Sequence, residues 1–201
     1  MTVKEATPRQ EEILDRAFEL VRESGLTNLT MKKVAERVGF TEPAVYRHFP
    51  TKQALVLGLL GRLGGMLLGP IRAIAADRNL PPVERLTRIL THHLGLIIDT
   101  DGLPLLIFAE ASAAGDEVVI GRMREIIGEL RGVLIGIVEE MPAVPGNPPP
   151  PLLVMALFGI AASTAIQRRM MPDANYPKEA ILAQIPVLVR RITGGEEGVK
   201  E

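Results

Sequence analysis

A short helical segment at residues 41–49 carries the residue types best suited to recognising another molecule. Val45 and Phe49 are four positions apart, so on a helix they share one face and both can be buried. Tyr46 and Arg47 are then left on the outer face, where a phenol and a guanidinium can reach phosphates and base edges. The segment follows a glycine turn and another short helix, which is the spacing of a helix-turn-helix. A solvated helix surface is the alternative interpretation.

Positive charge is concentrated around this segment, although the whole chain has a formal net charge of -1. Residues 24–53 contain five lysines and arginines but two glutamates. Lys32 and Lys33 fall in the first turn of one predicted helix, and Lys52 begins another. A cation at a helix N-terminus opposes the helix dipole, and this cost is offset when DNA phosphates are the partners of that terminus. The alternative is that these lysines only increase solubility.

Helix-capping signals predict an all-α fold, because no stretch of the chain shows the two-residue alternation of a strand between turns. Thr7 and Gln10 can form a capping box around Pro8, and Thr30 and Thr41 are predicted caps of the next two helices. Beyond them, helices are predicted at 52–76, 82–98, 103–113, 116–141, 151–171 and 177–192, the last kinked or split at Pro186, after Ile185.

The composition excludes several classes of catalytic and metal-binding protein. With no cysteine, the chain has no thiol nucleophile or cysteine-bound zinc site, and it fits a reducing compartment such as the cytoplasm. It also lacks a glycine-rich phosphate loop, a His-Glu-x-x-His pair and a serine nucleophile elbow. His92 and His93 diverge by about 100° on a helix and cannot chelate one metal ion. We therefore predict no enzyme activity, no catalytic residue, no cofactor and no metal.

The apolar stretch from Ala54 to Ala76 is long enough to suggest a membrane span. Arg62 and Arg72 interrupt it, and each would cost about 2.5 to 3.5 kcal/mol near the centre of a bilayer. We predict a helix buried in protein, no membrane partner and no secretion signal, so that the chain is cytoplasmic and associated with the nucleoid.

Two runs make the helix-turn-helix recognisable. Residues 30–41 read Thr-Met-Lys-Lys-Val-Ala-Glu-Arg-Val-Gly-Phe-Thr, and residues 44–55 read Ala-Val-Tyr-Arg-His-Phe-Pro-Thr-Lys-Gln-Ala-Leu. Together they closely resemble the DNA-binding domain of TetR-family transcriptional regulators, and the Tyr-x-His-Phe-x-x-Lys-x-x-Leu pattern is specific. The Pro43-Ala44 pair departs from many members of the family, which leaves the preferred operator sequence open.

The resemblance implies a role for each part of the chain. Residues 41–47 would contact the DNA groove, and Thr30, Tyr46, His48 and Lys52 would mainly contact phosphates of double-stranded operator DNA. A homodimer would repress transcription until a small ligand binds. The predicted DNA-binding residues are Thr30, Lys32, Lys33, Thr41, Glu42, Pro43, Ala44, Tyr46, Arg47, His48 and Lys52. The predicted domains are a helix-turn-helix domain of three short helices (1–53), a helical ligand-binding and dimerisation domain (54–193) and a frayed tail (194–201).

The middle helices supply the apolar lining that an effector pocket needs. Eight methionines and few aromatic residues indicate a deformable cavity for a small hydrophobic or amphipathic effector. Glu110 stands in an otherwise apolar segment, where it can line the pocket, pair with an arginine or face solvent. The predicted ligand-binding residues are Leu63, Met66, Leu67, His93, Ile97, Leu105, Phe108, Glu110 and Ile127.

The last two predicted helices carry small and apolar residues at spacings that permit close helix approach. In the family, these two helices form a four-helix bundle with their symmetry mates. Packing within one chain is the alternative. The predicted dimer-interface residues are Ala156, Gly159, Ser163, Ile181, Ile185 and Leu188.

One competing functional class is a helical DNA-binding adaptor or nucleoid-associated protein that has no effector. A well-formed apolar cavity in the C-terminal domain would argue against this class. A filled core would favour it.

Overall fold

The structure is a computed structural model that describes residues 7–142, 148–171, 173 and 176–193. Within these ranges the chain forms α-helices and no β-strand, which confirms the predicted all-α class. The predicted tail at 194–201 lies outside the described residues. The helices are α1 Pro8–Ser24, α2 Met31–Val38, α3 Glu42–His48, α4 Lys52–Ala76, α5 Pro82–Asp99, α6 Leu103–Ala114, α7 Glu117–Glu139, α8 Pro150–Met170, α9 Lys178–Leu182 and α10 Ile185–Ile192.

The chain divides into two compact units. Unit 1 comprises Met1–Leu63 and Leu103–Arg124, and unit 2 comprises Gly64–Gly102 and Glu125–Glu201. Unit 1 therefore holds the helix-turn-helix together with α6, which lies in the predicted ligand-binding and dimerisation domain (54–193). The division of the chain into two functional domains at residue 53 stays a prediction.

Unit 1 is built on the capping residues that the sequence predicts. The Thr7 hydroxyl accepts a hydrogen bond from the Gln10 amide at 3.3 Å, and the Gln10 side chain accepts one from the Thr7 amide at 3.0 Å. Thr30 and Thr41 are the N-cap residues of α2 and α3. Gly39 ends α2 with φ +80°, a left-handed conformation that glycine adopts without strain. The three helices α1, α2 and α3 pack on one another as a result.

One face of α3 is buried as predicted. Val45 is fully buried and Phe49 is 6% exposed. Gly58 of α4 lies so close that a Cβ there would sit 2.9 Å from Phe49 Cε1 and 3.0 Å from Leu14 Cδ2. This close approach fixes the buried face of α3, so the opposite face is directed outward.

Unit 2 is organised around α5, which contacts α8, α9 and α10. The predicted helix at 177–192 forms as two helices, and the break falls before Ile185 rather than after it. Pro186 occupies the first turn of α10. A proline there has no backbone N–H to continue a preceding helix but fits the start of a new one, which explains the position of the break.

Helices α4 and α8 are long and apolar enough, by length and composition only, to cross a membrane. Half of the α4 window is buried inside the protein. Arg62 of α4 also lies 2.5 Å from a carboxylate oxygen of Asp15 on α1. The burial of α4 agrees with its predicted role as a core helix. In the apolar window of α8 only 28% is buried, so most of this window is not covered by the rest of the chain.

Candidate nucleic-acid interface

The outer face of α3 presents the side chains that the sequence assigns to DNA. Tyr46 is 43% exposed, and Arg47 is exposed without an ion pair in the described part of the chain. Glu42 and Pro43 form the first turn. Thr41 is the N-cap residue, but its side chain makes no capping hydrogen bond. A hydroxyl, a phenol and a guanidinium are therefore available on one short helix to contact a duplex.

Helix α2 adds two free cations to this surface. Lys32 and Lys33 are exposed, and neither forms an ion pair among the residues the structure describes. Arg37 differs, because its Nη2 lies 2.7 Å from a carboxylate oxygen of Glu23. The hydrogen bond from Arg37 holds the pKa of Glu23 below its ordinary value. Lys32, Lys33 and Arg47 thus remain available for phosphates, whereas Arg37 is already neutralised.

Two predicted phosphate contacts also serve the fold. The Thr30 hydroxyl accepts a hydrogen bond from the Lys33 amide at 3.2 Å and so caps α2. Its own O–H is still able to donate. The backbone carbonyl of His48 accepts from Gln10 Nε2 at 3.5 Å, which links the end of α3 to α1.

Lys52 is predicted as a phosphate contact, but the structure directs its ammonium group into unit 1. Its Nζ donates to the carbonyl oxygen of Leu26 at 2.8 Å and to that of Thr27 at 3.4 Å. Burial lowers the pKa of Lys52, and the negative charge of Glu110 opposes this effect. The flexible four-carbon side chain reaches the turn between α1 and α2, so a phosphate would have to compete with these carbonyls.

Glu110 is predicted to line a ligand pocket, but its carboxylate lies against the same turn. Its Oε1 accepts from the Leu26 amide at 2.9 Å, and its Oε2 accepts from the Thr27 hydroxyl at 2.6 Å and from the Thr27 amide. These residues are 83 and 84 positions apart in sequence, so no local pattern predicts the contact. The one available signal was an isolated carboxylate in an apolar helix.

Unit 2 contains a small apolar cleft beside His93. The cleft volume is about 10 Å³, which is room for roughly one water molecule. His93 is 6% exposed, and its ring packs edge-on against Phe158 at a centroid distance of 5.6 Å. Burial lowers the pKa of His93 to about 4, with a further contribution from the neighbouring His92. The cleft is lined by Leu90, His93, Leu94, Leu157, Ile160, Ala161 and Ile185.

Among the predicted ligand-binding residues, His93 is the one that lines this cleft. Met66, Phe108 and Ile127 are instead 45%, 46% and 39% exposed. Residue type and helical spacing cannot tell a cleft position from a core or a solvent-facing position, because aliphatic residues occur at all three. The others lie elsewhere: Leu63, Leu67 and Ile97 are buried, Leu105 is half-buried, and Glu110 contacts the turn of unit 1.

Residues 13–59 match the family described as bacterial regulatory proteins, tetR family. This range holds most of α1, all of α2 and α3, and the start of α4, so it coincides with the surface described above. Residues 13–59 therefore form a TetR-family helix-turn-helix domain. The chain is a DNA-binding regulator that carries this domain.

Proteins similar to this chain include nucleoid occlusion factors. SlmA of Vibrio campbellii is 27% identical over 141 residues, which cover 70% of this chain and 71% of that protein. SlmA of Edwardsiella ictaluri is 29% identical over 143 residues, covering 70% of this chain and 72% of that protein. The similarity thus extends well beyond the helix-turn-helix.

Solved structures of other transcriptional regulators share the fold along nearly the whole chain. A TetR/AcrR-family regulator from Thermobifida fusca is 23% identical, with a TM-score of 0.69, and the match covers 97% of this chain and 100% of that one. FadR from Bacillus subtilis, solved with stearoyl-CoA, is 18% identical, with a TM-score of 0.73 and coverage of 93% and 99%. At these identities the likeness concerns the fold.

One face of α8 leaves small and apolar side chains exposed in the TetR-family fold. Ala156, Gly159 and Ser163 are exposed, and their place at an interface stays a prediction. Ile185 is 2% exposed and lines the cleft of unit 2, so it is unavailable to a second chain. Leu188 is 37% exposed. Further apolar side chains exposed on α8 are Leu152, Met155, Ile166 and Met170.

The adjacent histidines of α5 lie in different surroundings. His92 Nε2 is 3.0 Å from the carbonyl oxygen of Met66, whereas His93 lies in the apolar cleft. The rings therefore do not converge on one point. Within the described ranges, no three His, Asp or Glu side chains come together in a way that could hold a metal ion.

The buried His93 predicts a specific loss of stability in acid. Its folded pKa of about 4 lies below the ordinary value near 6.5, so the unfolded chain binds a proton that the folded chain excludes. Below pH 6.5 we expect the free energy of unfolding to fall by up to about 1.4 kcal/mol per pH unit until pH 4. Urea unfolding across this range should show a flatter pH dependence in His93→Leu. An unchanged slope in His93→Leu would contradict the assignment.

Proposed function

We propose that this regulator is a homodimeric transcriptional repressor that binds a palindromic operator and is released by a small hydrophobic or amphipathic effector. The observation that carries the proposal is the outward face of α3, where Tyr46 and Arg47 are exposed beside the free ammonium groups of α2. The division into a DNA-binding domain (1–53) and a ligand-binding and dimerisation domain (54–193) is part of this proposal. The proposal also includes a cytoplasmic location at the nucleoid and the absence of enzymatic activity.

The exposed stripe on α8 supports the dimer. Its small residues, Ala156, Gly159 and Ser163, allow another helix to approach closely, and the flanking Met155 and Ile166 supply apolar area. Such a stripe is unfavourable in water unless a partner covers it. A second copy related by a twofold axis would place identical stripes against each other. This arrangement also accounts for the low burial of an apolar helix without a membrane.

The operator is tested by selection from random duplexes. A twofold dimer should enrich a palindrome whose half-site centres lie about 10 base pairs apart, or a multiple of that distance. Arg47→Ala should weaken binding to the enriched operator by about 1 to 3 kcal/mol and binding to random DNA much less, because a base contact carries the discrimination.

The matched control is Lys33→Ala, which removes an exposed cation from α2. A phosphate contact is blind to sequence, so both duplexes should weaken alike and the salt slope should fall by about one per subunit contact. Enrichment of no palindrome, together with wild-type affinity in both variants, would refute the operator proposal.

The effector proposal draws on the aliphatic lining of unit 2 and on the FadR neighbour that was solved with stearoyl-CoA. The cleft beside His93 has a volume of about 10 Å³, so an effector must displace packed side chains to enter. His93 is neutral at pH 7, because its pKa is about 4. A neutral imidazole carries one N–H donor and one acceptor nitrogen, so His93 can form a hydrogen bond with a ligand.

A calorimetric screen of fatty acids, acyl-CoAs and cationic lipophiles tests this proposal. We expect a bound effector to weaken operator binding by a factor of about 5 to 150, and linkage requires the operator to weaken effector binding by the same factor. His93→Leu should weaken binding of hits that carry a polar group. A screen without a hit would contradict the aliphatic effector.

The second candidate function is that of a helical DNA-binding adaptor or nucleoid-associated protein that has no small-molecule effector. The similarity to SlmA nucleoid occlusion factors and the small cleft volume favour it. Operator binding that no compound in the screen changes would select this candidate. Reciprocal coupling between a compound and the operator would select the first.

A further inference from the structure

We propose that Glu110 is a positioning residue for DNA binding, because it holds the turn between α1 and α2 that sets the placement of the helix-turn-helix. The proposal concerns contacts within unit 1 alone. It rests on DNA binding by the family domain, and it requires neither the proposed effector nor the proposed palindrome.

Both oxygens of the Glu110 carboxylate are used by the turn. Oε1 accepts from the Leu26 amide at 2.9 Å, while Oε2 accepts from the Thr27 hydroxyl at 2.6 Å and from the Thr27 amide. Gly25 has φ +83°, and a Cβ at this position would lie 2.9 Å from Oε1. A glycine is therefore needed both for the backbone conformation and for the close approach of the carboxylate.

Lys52 holds the same turn through the carbonyl oxygens. Its Nζ donates to Leu26 O at 2.8 Å and to Thr27 O at 3.4 Å. The backbone N–H groups of the turn therefore face the carboxylate of Glu110 on α6. Its carbonyl oxygens face the ammonium group of Lys52 on α4. Hydrogen bonds to charged groups are roughly twice as strong as those between neutral groups, so the turn is held from both sides.

The turn leads directly into the DNA-binding helices. Leu29 is fully buried at the end of the turn, and Thr30 caps α2 one residue later. Helix α2 in turn packs against α3. A change in the turn therefore alters the starting point of α2 and, through packing, the orientation of α3. Glu110 itself does not need to touch DNA.

Neutralising the Glu110 carboxylate has two opposite expected effects on DNA affinity, one from its charge and one from its hydrogen bonds to the turn. Removing a negative charge near a polyanion-binding surface strengthens DNA binding by electrostatics alone. The substitution Glu110→Gln also replaces one acceptor oxygen by an NH₂ group that faces N–H donors, so the turn loses part of its support. In the folded protein, electrostatics therefore predicts a gain of affinity for this variant, whereas weaker positioning of the turn predicts a loss.

The test compares full-length Glu110→Gln with Glu117→Gln, which makes the same charge change on α7 in unit 1. We expect Glu110→Gln to bind the selected operator about tenfold more weakly at a temperature where every variant is folded. Glu117→Gln should bind like wild type or slightly more tightly. A merely structural role would lower the unfolding midpoint without changing the affinity of the folded protein. Operator affinity of Glu110→Gln equal to or above that of wild type would overturn the proposal.

Two further measurements keep the proposal testable if one variant folds poorly. Thr27→Val removes only the hydroxyl donor, and its effect on affinity should be less than additive with that of Glu110→Gln. Amide exchange at Leu26 and Thr27 should be at least about tenfold faster in Glu110→Gln than in wild type. If wild type enriches no palindrome, the proposed operator fails, and the exchange comparison alone then decides whether Glu110 holds the turn. Unchanged exchange at both amides would overturn the proposal.

Discussion

Gly159→Arg is expected to convert the protein into a monomer. Gly159 is exposed at the middle of the small-residue stripe of α8, and no heavy atom lies within 4 Å of the position where its Cβ would be. The arginine therefore fits the single chain, and arginine favours a helix over glycine by nearly 1 kcal/mol. In a dimer of α8 stripes it would place a long charged side chain where two helices approach closely. Sedimentation should report the monomer mass.

Loss of the dimer should also abolish tight operator binding. A monomer engages one half-site, so the advantage of simultaneous binding is lost, and affinity should fall by at least about a hundredfold. Gly136→Arg is the matched control, because Gly136 is likewise exposed on a helix with no atom near its missing Cβ. It should remain dimeric and bind DNA like wild type. A dimeric Gly159→Arg would place the interface elsewhere.

Arg85→Ala is expected to cost about 2 to 4 kcal/mol of the free energy of unfolding. Arg85 is 2% exposed, and its guanidinium donates to the carbonyl oxygens of Ala75 and Leu80, each at 3.2 Å, and to the carboxylate of Glu140. Truncation leaves these acceptors without their donor. The expected loss stays below that of a fully buried ion pair because Glu140 is partly exposed and keeps its contact with Arg78.

Urea unfolding of Arg85→Ala and Arg88→Ala provides the comparison. Arg88 is on the same helix and forms an exposed pair with Glu84, and such a pair contributes about 0.3 to 0.5 kcal/mol. Similar unfolding midpoints for the two variants would contradict the role of Arg85.

The free energy of unfolding at acidic pH gives a second measure of the contact between Arg85 and Glu140. Hydrogen bonds from Arg85 and then Arg78 lower the pKa of Glu140 to about 2. This contribution is therefore complete above the ordinary glutamate pKa near 4.3 and is lost as the pH falls towards 2. Arg85→Ala should weaken this pH dependence.

The sequence by itself determined the features that depend on neighbours within one or two helical turns. The capping box at Thr7, the left-handed Gly39 and the burial of Val45 and Phe49 all follow from residue type and spacing. The helix-turn-helix motif fixed the family in the same way, because its pattern is continuous along the chain. The outward position of Arg47 followed, since burying one face of a short helix exposes the other.

Only the tertiary structure decided which charged side chains serve the fold and which remain free. Lys52 and Glu110 were placed by sequence at DNA and in a pocket, but both reach the turn between α1 and α2. Arg37 similarly meets Glu23 and no longer contributes a free cation. A long charged side chain has several partners within reach, and the choice depends on which helices pack nearby.

The cleft and the exposed stripe were also settled by packing rather than by composition. Ile185 fitted a predicted interface by its spacing, yet it is buried beside His93, whereas Gly159 on α8 is exposed. Apolar residues favour burial against any apolar surface, so helical spacing gives the face of a helix but not its partner. The partner follows from the relative placement of distant segments, which is a property of the whole folded chain.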